Sequence, residues 1–316
     1  MKNILVIGAA GQIGSELVVE LRNRYGKNNI VAADINTVTN AEILQDGIFE
    51  KIDILDTQKI AEVMKNNKID TVFNLVAILS ATAENMPQKC WEINMGGLVN
   101  LLNLCLDFKA ALFTPSSIAA FGHSTPQINT PQDTIQRPTT IYGVTKVAGE
   151  LLCDYYHIKY GLDTRGVRYP GLISNMTKPG GGTTDYAVEI FYEAIEKGHY
   201  TCFLEEDTQM DMMYMPDALN AAIDLMEADP EKLIHRNAFN VTAMQFNPKT
   251  LFNEIKKHLP TFTMDYKIDS NKQNIANSWP KSLDDSAARN EWGWKPKYDL
   301  ATMTEDMIKV LTKKLK

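Results

Sequence analysis

The stretch "NILVIGAAGQIGSELVVEL" at residues 3–21 decides the fold class. An apolar run ends at Gly8, and Gly11 and Gly14 follow at three-residue steps as a helical pattern begins. In such a turn the first glycine permits a tight bend, the second lets the backbone approach a pyrophosphate, and the third lets helix and strand pack closely. Unpaired N–H groups at the helix N-terminus bind the anion. The stretch therefore predicts a strand, a dinucleotide-binding turn and a helix.

Short apolar runs continue to alternate with amphipathic stretches through the first half of the chain. This alternation is typical of βαβ units, whose right-handed crossovers wind a parallel sheet with helices on both faces. We therefore expect an α/β fold with a doubly wound parallel sheet of the Rossmann type. The predicted strands are 3–8, 29–34, 49–54, 71–76, 111–117 and 163–170, and the predicted helices are 12–25, 57–67, 87–107 and 142–160.

The pattern changes after Pro170, which predicts two domains. Residues 1–170 would form the dinucleotide-binding domain, and residues 171–316 would mainly form a smaller substrate-binding domain, with a segment around 211–235 returning to the first. The elements predicted here are a loop over 171–186, helices at 187–197, 214–228 (after an Asp-rich turn) and 248–258, strands at 237–242 and 263–268, a turn-rich stretch to about 300, and a closing helix.

Composition limits the possible partners and compartments. The net charge of -7 and the sequence pI of about 5.4 argue against a nucleic-acid or anionic-membrane partner, because phosphate is bound chiefly by clustered Lys and Arg. No apolar stretch approaches the roughly 18 residues that span a bilayer. The four cysteines are widely spaced, and the five histidines lack metal-ligand spacing. We expect reduced thiols, a cytoplasmic location and no metal site.

Asp34 ends the second predicted strand, 20 residues after Gly14. A carboxylate in this place accepts hydrogen bonds from both hydroxyls of an adenosine ribose, although an ordinary turn aspartate is the alternative. The carboxylate would repel a 2′-phosphate, and neither Ile35 nor Asn36 supplies a cation. These residues favour NAD over NADP as the cofactor.

Tyr142 and Lys146 stand four residues apart on a predicted helix, which places the ammonium close to the phenol oxygen. A nearby cation favours a phenolate, which serves as a general base near neutral pH. Such pairs also occur on many solvated helices. Here, however, Ser117 ends a predicted strand 25 residues before Tyr142, so the chain combines a serine, a tyrosine and a lysine with a dinucleotide fold.

Together these motifs resemble the extended short-chain dehydrogenase/reductase family of NAD-dependent epimerases, dehydratases and dehydrogenases, over essentially the whole chain. The resemblance implies that the tyrosine takes the substrate hydroxyl proton, the lysine holds the nicotinamide ribose and supports the phenolate, and the serine orients the substrate oxygen. It also implies cofactor contacts from the glycine turn, the strand ends, the "NLVA" loop, the helix "NMGGLVNLL" and the "RYPG" motif. The implied cofactor residues are Gly8, Gly11, Gln12, Ile13, Gly14, Asp34, Asp53, Ile54, Leu75, Ala77, Asn94, Tyr142, Lys146, Tyr169 and Pro170.

Two departures from the family pattern narrow the choice of substrate. Members that act on nucleotide sugars typically carry an arginine for the diphosphate in the segment that here reads "MDMMYMPD" (210–217), where Met210 replaces it. Dehydratase members carry an acidic residue directly after the strand-end serine or threonine, where this chain has Ile118. What remains is the oxidation of a small secondary alcohol.

Several motifs closely resemble the short-chain-type L-threonine 3-dehydrogenases, a group within this family: "PSSIAAFG", "YGVTK", "RYPG", "PGGGTTDYA" and "SWPKSLDDSAARNEWGW". The resemblance implies that Tyr142 deprotonates the C3 hydroxyl of L-threonine while hydride passes to NAD, giving 2-amino-3-oxobutanoate. Gly182 and Thr183 would touch the substrate carboxylate, since a glycine-threonine turn offers N–H groups and hydroxyls. Ser80 and Trp279 would help to close the pocket, although a helix N-cap serine and a buried aromatic at a domain interface are equally good interpretations.

Two alternatives to threonine oxidation remain open. One is a nucleotide-sugar 4-epimerase of the same family, which Met210 disfavours. The other is a non-catalytic NAD-binding regulator, a class in which the Tyr-Lys pair is often broken, whereas here it is intact. The resemblance further implies a homodimer formed by the long helices that include 87–107 and 142–160.

Overall fold

The glycine turn joins the first strand to the first helix, as predicted. The computed structural model describes residues 1–36, 47–177 and 182–315. Strand β1 (Ile4–Ile7) is fully buried and lies between two parallel neighbours, β2 (Ile30–Asp34) and β4 (Thr71–Asn74). Strands that are covered on both faces carry continuous apolar runs, which is why this segment reads "ILVI" rather than as an alternation.

The described residues form a parallel sheet of six strands in the order β3, β2, β1, β4, β5, β7. Here β3 is Ile48–Lys51, β5 is Ala111–Phe113 and β7 is Thr164–Arg165. The strand order reverses between β1 and β4, and doubly wound sheets bind ligands at the carboxyl ends of the strands beside such a reversal. The predicted fold class is confirmed.

The helices of the first half follow the predicted pattern, with one unpredicted helix at Ser80–Asn85 and one interruption. The predicted helix over 87–107 contains a π-helical turn at Glu92–Gly96. A π-helical turn inside a helix is frequent at functional sites, because it changes the direction of the side chains it carries. The helices are α1 (Gln12–Tyr25), α2 (Thr57–Asn66), α3 (Ser80–Asn85), α4 (Pro87–Trp91), α5 (Gly97–Phe108) and α6 (Ile141–Tyr160).

The second half contains more regular structure than the sequence predicted. Its helices are α7 (Tyr186–Glu196), α8 (Met215–Glu227), α9 (Pro248–His258), α10 (Ser270–Ser278), α11 (Ser286–Trp292) and α12 (Leu300–Leu315). The remaining strands are β6 (Ser116–Ser117), β8 (Val167–Tyr169), β9 (Gly171–Ile173), β10 (His199–Cys202), β11 (Met210–Tyr214), β12 (Phe239–Asn240), β13 (Met244–Phe246) and β14 (Thr263–Tyr266).

Three predictions in this half are wrong or incomplete. The expected loop over 171–186 begins with β9, the Asp-rich turn at residues 206–207 is followed by an unpredicted buried strand, β11, and the turn-rich stretch to about 300 contains α10 and α11. Asp211 explains the second error, because its carboxylate accepts hydrogen bonds from the Thr242 hydroxyl and, at 2.8 Å, from the Leu283 N–H. A charged residue with internal donors fits a buried strand that hydropathy alone does not reveal.

The chain forms two compact units, each with its own hydrophobic core. The first unit consists of Met1–Ser117, Ile141–Arg168 and Leu219–Phe239, and the second of Ile118–Thr140, Tyr169–Ala218 and Asn240–Lys316. Residues 118–140 thus lie in the second unit, whereas the sequence prediction placed them in the first. Within the described ranges, no helix is both long and apolar enough to cross a membrane.

Candidate active site

The glycine turn of the first unit has the geometry of a phosphate-binding loop. Gly8 has a φ of +89°, and a Cβ there would lie 2.8 Å from the Leu75 carbonyl carbon, so the position requires glycine. A Cβ at Gly14 would lie 2.1 Å from the Gly8 oxygen. Gly11 is the N-cap of α1, has no side-chain cap, and would place a Cβ against only the Gly8 oxygen, at 3.3 Å. The helix N-terminus therefore keeps open N–H groups for an anion.

Asp34 ties the end of β2 to this turn. Its carboxylate is buried, accepts a hydrogen bond of 2.9 Å from the Ala10 N–H on one oxygen, and accepts one of 2.9 Å from the Asn36 N–H on the other. Each carboxylate oxygen has a second lone pair, so the group still has the capacity to accept ribose hydroxyls. The turn and Asp34 together fit the adenosine and pyrophosphate portions of a dinucleotide.

The implied cofactor residues Asp53 and Ile54 are placed by local packing. Asp53 accepts a hydrogen bond of 2.9 Å from the Leu55 N–H, which holds the chain after β3 in a turn. Ile54 is buried against Gly97 at the start of α5, where a Cβ would lie 2.8 Å from the Ile54 side chain. Glycine at this position lets α5 approach the end of β3 closely. The Leu75 N–H donates to the Ile7 oxygen at 2.8 Å, which fixes the "NLVA" loop beside β1.

Asn94 lies in the π-helical turn and connects two parts of the site. Its amide oxygen accepts the Ile78 N–H at 2.8 Å, and its amide nitrogen lies 3.2 Å from the Ile78 oxygen and 3.2 Å from the Thr145 hydroxyl. The same nitrogen lies 3.3 Å from the Cys90 sulfur, whose thiol pKa is raised by burial. Asn94 therefore holds the loop that follows β4 against α6.

Tyr142 and Lys146 lie on successive turns of α6. The Lys146 ammonium donates to the Pro115 carbonyl at 2.7 Å and lies 5.3 Å from the centre of the Tyr142 ring, and that side chain is buried. Thr145 donates from its hydroxyl to the Tyr142 carbonyl at 2.8 Å. Lys146, Asn94 and Ala77 line one cavity of the first unit. Ser117 lies in the short strand β6, two residues after the carbonyl that holds Lys146.

Ser80 is buried at the first residue of α3. The N-cap of that helix is Leu79, so the interpretation of Ser80 as a capping residue is wrong.

In the second unit, Thr183 has a buried hydroxyl without a hydrogen-bond partner among the described residues. It begins a 3₁₀ helix, Thr183–Asp185. Gly182 precedes it and donates its N–H to the Asp185 carboxylate at 2.6 Å, so that donor is already engaged. The other glycines of the predicted loop, Gly180 and Gly181, lie outside the described residues. Among the described groups of this segment, the Thr183 hydroxyl lacks a partner.

The remaining predicted site residues of the second unit are Tyr169, Pro170 and Trp279. Tyr169, with Pro170 directly after it, is buried and donates from its hydroxyl to the Ala218 carbonyl at 2.7 Å, and burial raises its pKa. Trp279 is buried directly after α10. Met210 belongs to the core of this unit, so it is packed among apolar side chains and supplies no cation.

Comparison with known proteins places the chain in a family. The model of the NAD dependent epimerase/dehydratase family matches residues 4–242. The chain belongs to this family. An uncharacterised epimerase/dehydratase of Staphylococcus haemolyticus is 52% identical over 314 residues, which cover 99% of each chain.

Two solved structures are similar to this epimerase/dehydratase family member over its whole length. L-threonine dehydrogenase from Clostridium difficile is 54% identical with a TM-score of 0.98, and the match covers 99% of this chain and 98% of the other. A monomeric L-threonine 3-dehydrogenase from a metagenome is 45% identical with a TM-score of 0.94, and the match covers 99% of this chain and 100% of the other.

Sequence reasoning missed one buried cluster beside the candidate catalytic residues of this family member. Glu150 on α6 pairs with Arg168 on β8 at 2.8 Å, and both side chains are less than 10% exposed. Ser116, directly before Ser117, donates its hydroxyl to the same carboxylate. Two signals were present in the sequence: a glutamate one turn after Lys146, and an arginine inside the apolar segment "GVRYP".

Proposed function

We propose that the protein oxidises the C3 hydroxyl of L-threonine to 2-amino-3-oxobutanoate with NAD. The observation that carries the proposal is the full-length similarity to the L-threonine dehydrogenase of Clostridium difficile, at 54% identity and a TM-score of 0.98. The apolar surroundings of Met210 also support a substrate without a diphosphate, because no cation stands where nucleotide-sugar enzymes have their arginine.

The first unit would hold the cofactor through the glycine turn and Asp34. When bound, NAD supplies the acceptor for the hydride that leaves C3. Tyr142 takes the hydroxyl proton as the C3–H bond breaks and the C=O bond forms, so one proton and one hydride leave the substrate. Lys146 is held by the Pro115 carbonyl near the Tyr142 ring, where its positive charge stabilises the phenolate that must accept the proton. Ser117 would orient the substrate oxygen.

The zwitterionic substrate requires donors for its carboxylate. Thr183 is the proposed donor, because its buried hydroxyl has no hydrogen-bond partner among the described residues. A buried hydroxyl without a partner is costly unless a ligand uses it. Gly182 would contribute close backbone approach rather than its N–H, which Asp185 already accepts. Ser80 and Trp279 would help to close the pocket.

We further propose a cytoplasmic homodimer. All four cysteines are free and buried, as expected for a reducing compartment. An exposed apolar stripe on α6 runs through Val144, Leu151, Tyr155 and Ile158, and Val99 on α5 is also exposed. A stripe with spacings of seven, four and three residues follows one face of a helix and suits a helix-helix interface.

The proposed function is tested by following NADH absorbance after adding L-threonine to the purified protein and NAD. We expect NADH formation with L-threonine and none with D-threonine, which presents the same groups in the wrong configuration. UDP-glucose tests the alternative function, a nucleotide-sugar 4-epimerase of the same family. Turnover of UDP-glucose without NADH formation from L-threonine would contradict the proposal. NAD binding without turnover of either compound would favour the non-catalytic regulator.

A further inference from the structure

The buried Glu150 carboxylate lies on the same helix as the two proposed catalytic groups. Tyr142, Lys146 and Glu150 are spaced by four residues on α6, so they follow one face over successive turns, each about 6 Å further along the axis. Lys146 contacts the Pro115 carbonyl, and Glu150 accepts the Ser116 hydroxyl. The two residues directly before Ser117 are therefore each held by one residue of this helix face.

The Glu150 carboxylate is fixed from its other side by Arg168. The guanidinium donates to one carboxylate oxygen at 3.0 Å and to the other at 2.8 Å, a bidentate pair that fixes the orientation of both groups. A buried ion pair of this kind rarely adds net stability over apolar residues of similar volume, because both charges lose their hydration. The pair instead fixes geometry. Because burying either charge without the other would be strongly unfavourable, the two side chains stay together in one arrangement.

We infer that Glu150 is a positioning residue, which uses Arg168 as an anchor and Ser116 as a link to hold Ser117 in register with Tyr142. The inference rests on the proposed function in that Ser117 and Tyr142 are taken as the groups that meet the substrate. In this role Glu150 acts through Ser116 and Ser117 rather than on the substrate or the cofactor directly. The element that it controls is the short strand β6, which has just two residues and pairs with β8, the strand that carries Arg168.

Two double variants separate the effect of the hydrogen bond between Glu150 and Ser116 from the effect of the ion pair between Glu150 and Arg168. Glu150→Gln with Arg168→Met removes both charges but keeps an amide oxygen that accepts the Ser116 hydroxyl. Glu150→Met with Arg168→Met removes the charges and the acceptor, and neither variant leaves one member of this ion pair without the other. Arg165→Met is the control, because Arg165 is an equally buried arginine of the first unit, on β7, that pairs with Asp163 at 2.8 Å.

We expect the variant with Glu150→Gln and Arg168→Met (the Gln/Met variant) to keep kcat with L-threonine within about threefold of wild type. The variant with Glu150→Met and Arg168→Met (the Met/Met variant) should have a kcat lower by at least about tenfold. The KM values for NAD and L-threonine should stay within about twofold in both, because binding groups are untouched. Rates are divided by the concentration of protein that binds NAD, which corrects for unfolded material. With this correction, the kcat of Arg165→Met should equal that of wild type. Ser116→Ala should lower kcat as the Met/Met variant does.

Equal kcat losses in the two double variants, a wild-type kcat in the Met/Met variant, or a change in KM alone would each overturn the inference. Crystal structures of the two variants give a readout that does not depend on the substrate. Ser117 should shift relative to α6 by about 1 Å or more in the Met/Met variant and stay in place in the Gln/Met variant, and an unshifted Ser117 in both would also overturn it. Absence of L-threonine oxidation by wild type would contradict the proposed function instead, and the structural comparison would still decide the role of Glu150.

Discussion

The two units treat the polar groups of their candidate sites differently. In the first unit Asp34, Asn94 and Lys146 each have hydrogen-bond partners within the chain. In the second unit the buried Thr183 hydroxyl has none among the described residues. An unsatisfied buried group costs about 1–3 kcal/mol, so the second unit keeps a donor that a ligand would satisfy. Under the proposed function, this difference would mean that the cofactor site is organised in advance and that the substrate site is completed by its ligand.

The largest effect is expected at Tyr142 in the first unit, because its hydroxyl is the proposed general base. Tyr142→Phe removes the oxygen that would take the substrate proton, so kcat should fall by about a thousandfold, as is typical for the loss of a general base. NAD binding, measured by titration, should persist because the glycine turn is unchanged. Tyr156→Phe is the matched control, since it removes a hydroxyl on the same helix that donates to Asn103 at 2.7 Å. Wild-type turnover in Tyr142→Phe would refute the general-base role.

The next largest effects are expected at Gly14 and Gly11 of the glycine turn. A substitution at Gly14 should lower stability, whereas one at Gly11 should weaken NAD binding. A Cβ at Gly14 would lie 2.1 Å from the Gly8 oxygen, so Gly14→Ala should lower the free energy of unfolding by about 3 kcal/mol through overpacking. A Cβ at Gly11 meets only that oxygen at 3.3 Å, so Gly11→Ala should fold but bind NAD more weakly, because the methyl group occupies the approach to the anion. Chemical denaturation and NAD titration measure the two effects. Equal losses of stability in both variants would contradict the distinction.

The smallest effect is expected at Thr183 in the second unit, where a substitution should raise the free energy of unfolding rather than lower it. Thr183→Val keeps the shape but removes the unpartnered hydroxyl, so the free energy of unfolding should rise by about 1 kcal/mol. The KM for L-threonine should rise by about tenfold, because a hydrogen bond to a carboxylate is lost. Thr130→Val is the control, since its hydroxyl donates to the Pro126 carbonyl at 2.6 Å and its loss should destabilise the fold. An unchanged KM in Thr183→Val would remove Thr183 from the proposed substrate site.

Local sequence patterns predicted much of the secondary structure of the first unit. The glycine spacing and the apolar strand predicted both ends of α1, since each residue of that turn has a steric or dipolar reason for its place. The buried strand β11 was missed because the donors that satisfy Asp211 come from Thr242 and Leu283, which are distant in sequence. The use of the Gly182 N–H by Asp185 was equally hidden, because residue spacing does not show which acceptor a turn brings to its own N–H.

The discontinuous order of the first unit has a consequence for protein synthesis. Strand β7 at the edge of the six-stranded sheet receives contacts from a segment that is made some 60 residues later: Arg165 donates to the carbonyls of Leu225 at 2.7 Å and Ala228 at 2.8 Å. Gly166 exchanges backbone hydrogen bonds with Arg236 and Phe239. A nascent chain that has emerged only to residue 170 therefore carries a buried arginine and a strand without their native partners. Limited proteolysis that cuts between residues 170 and 219 would not release an independently stable nucleotide-binding fragment.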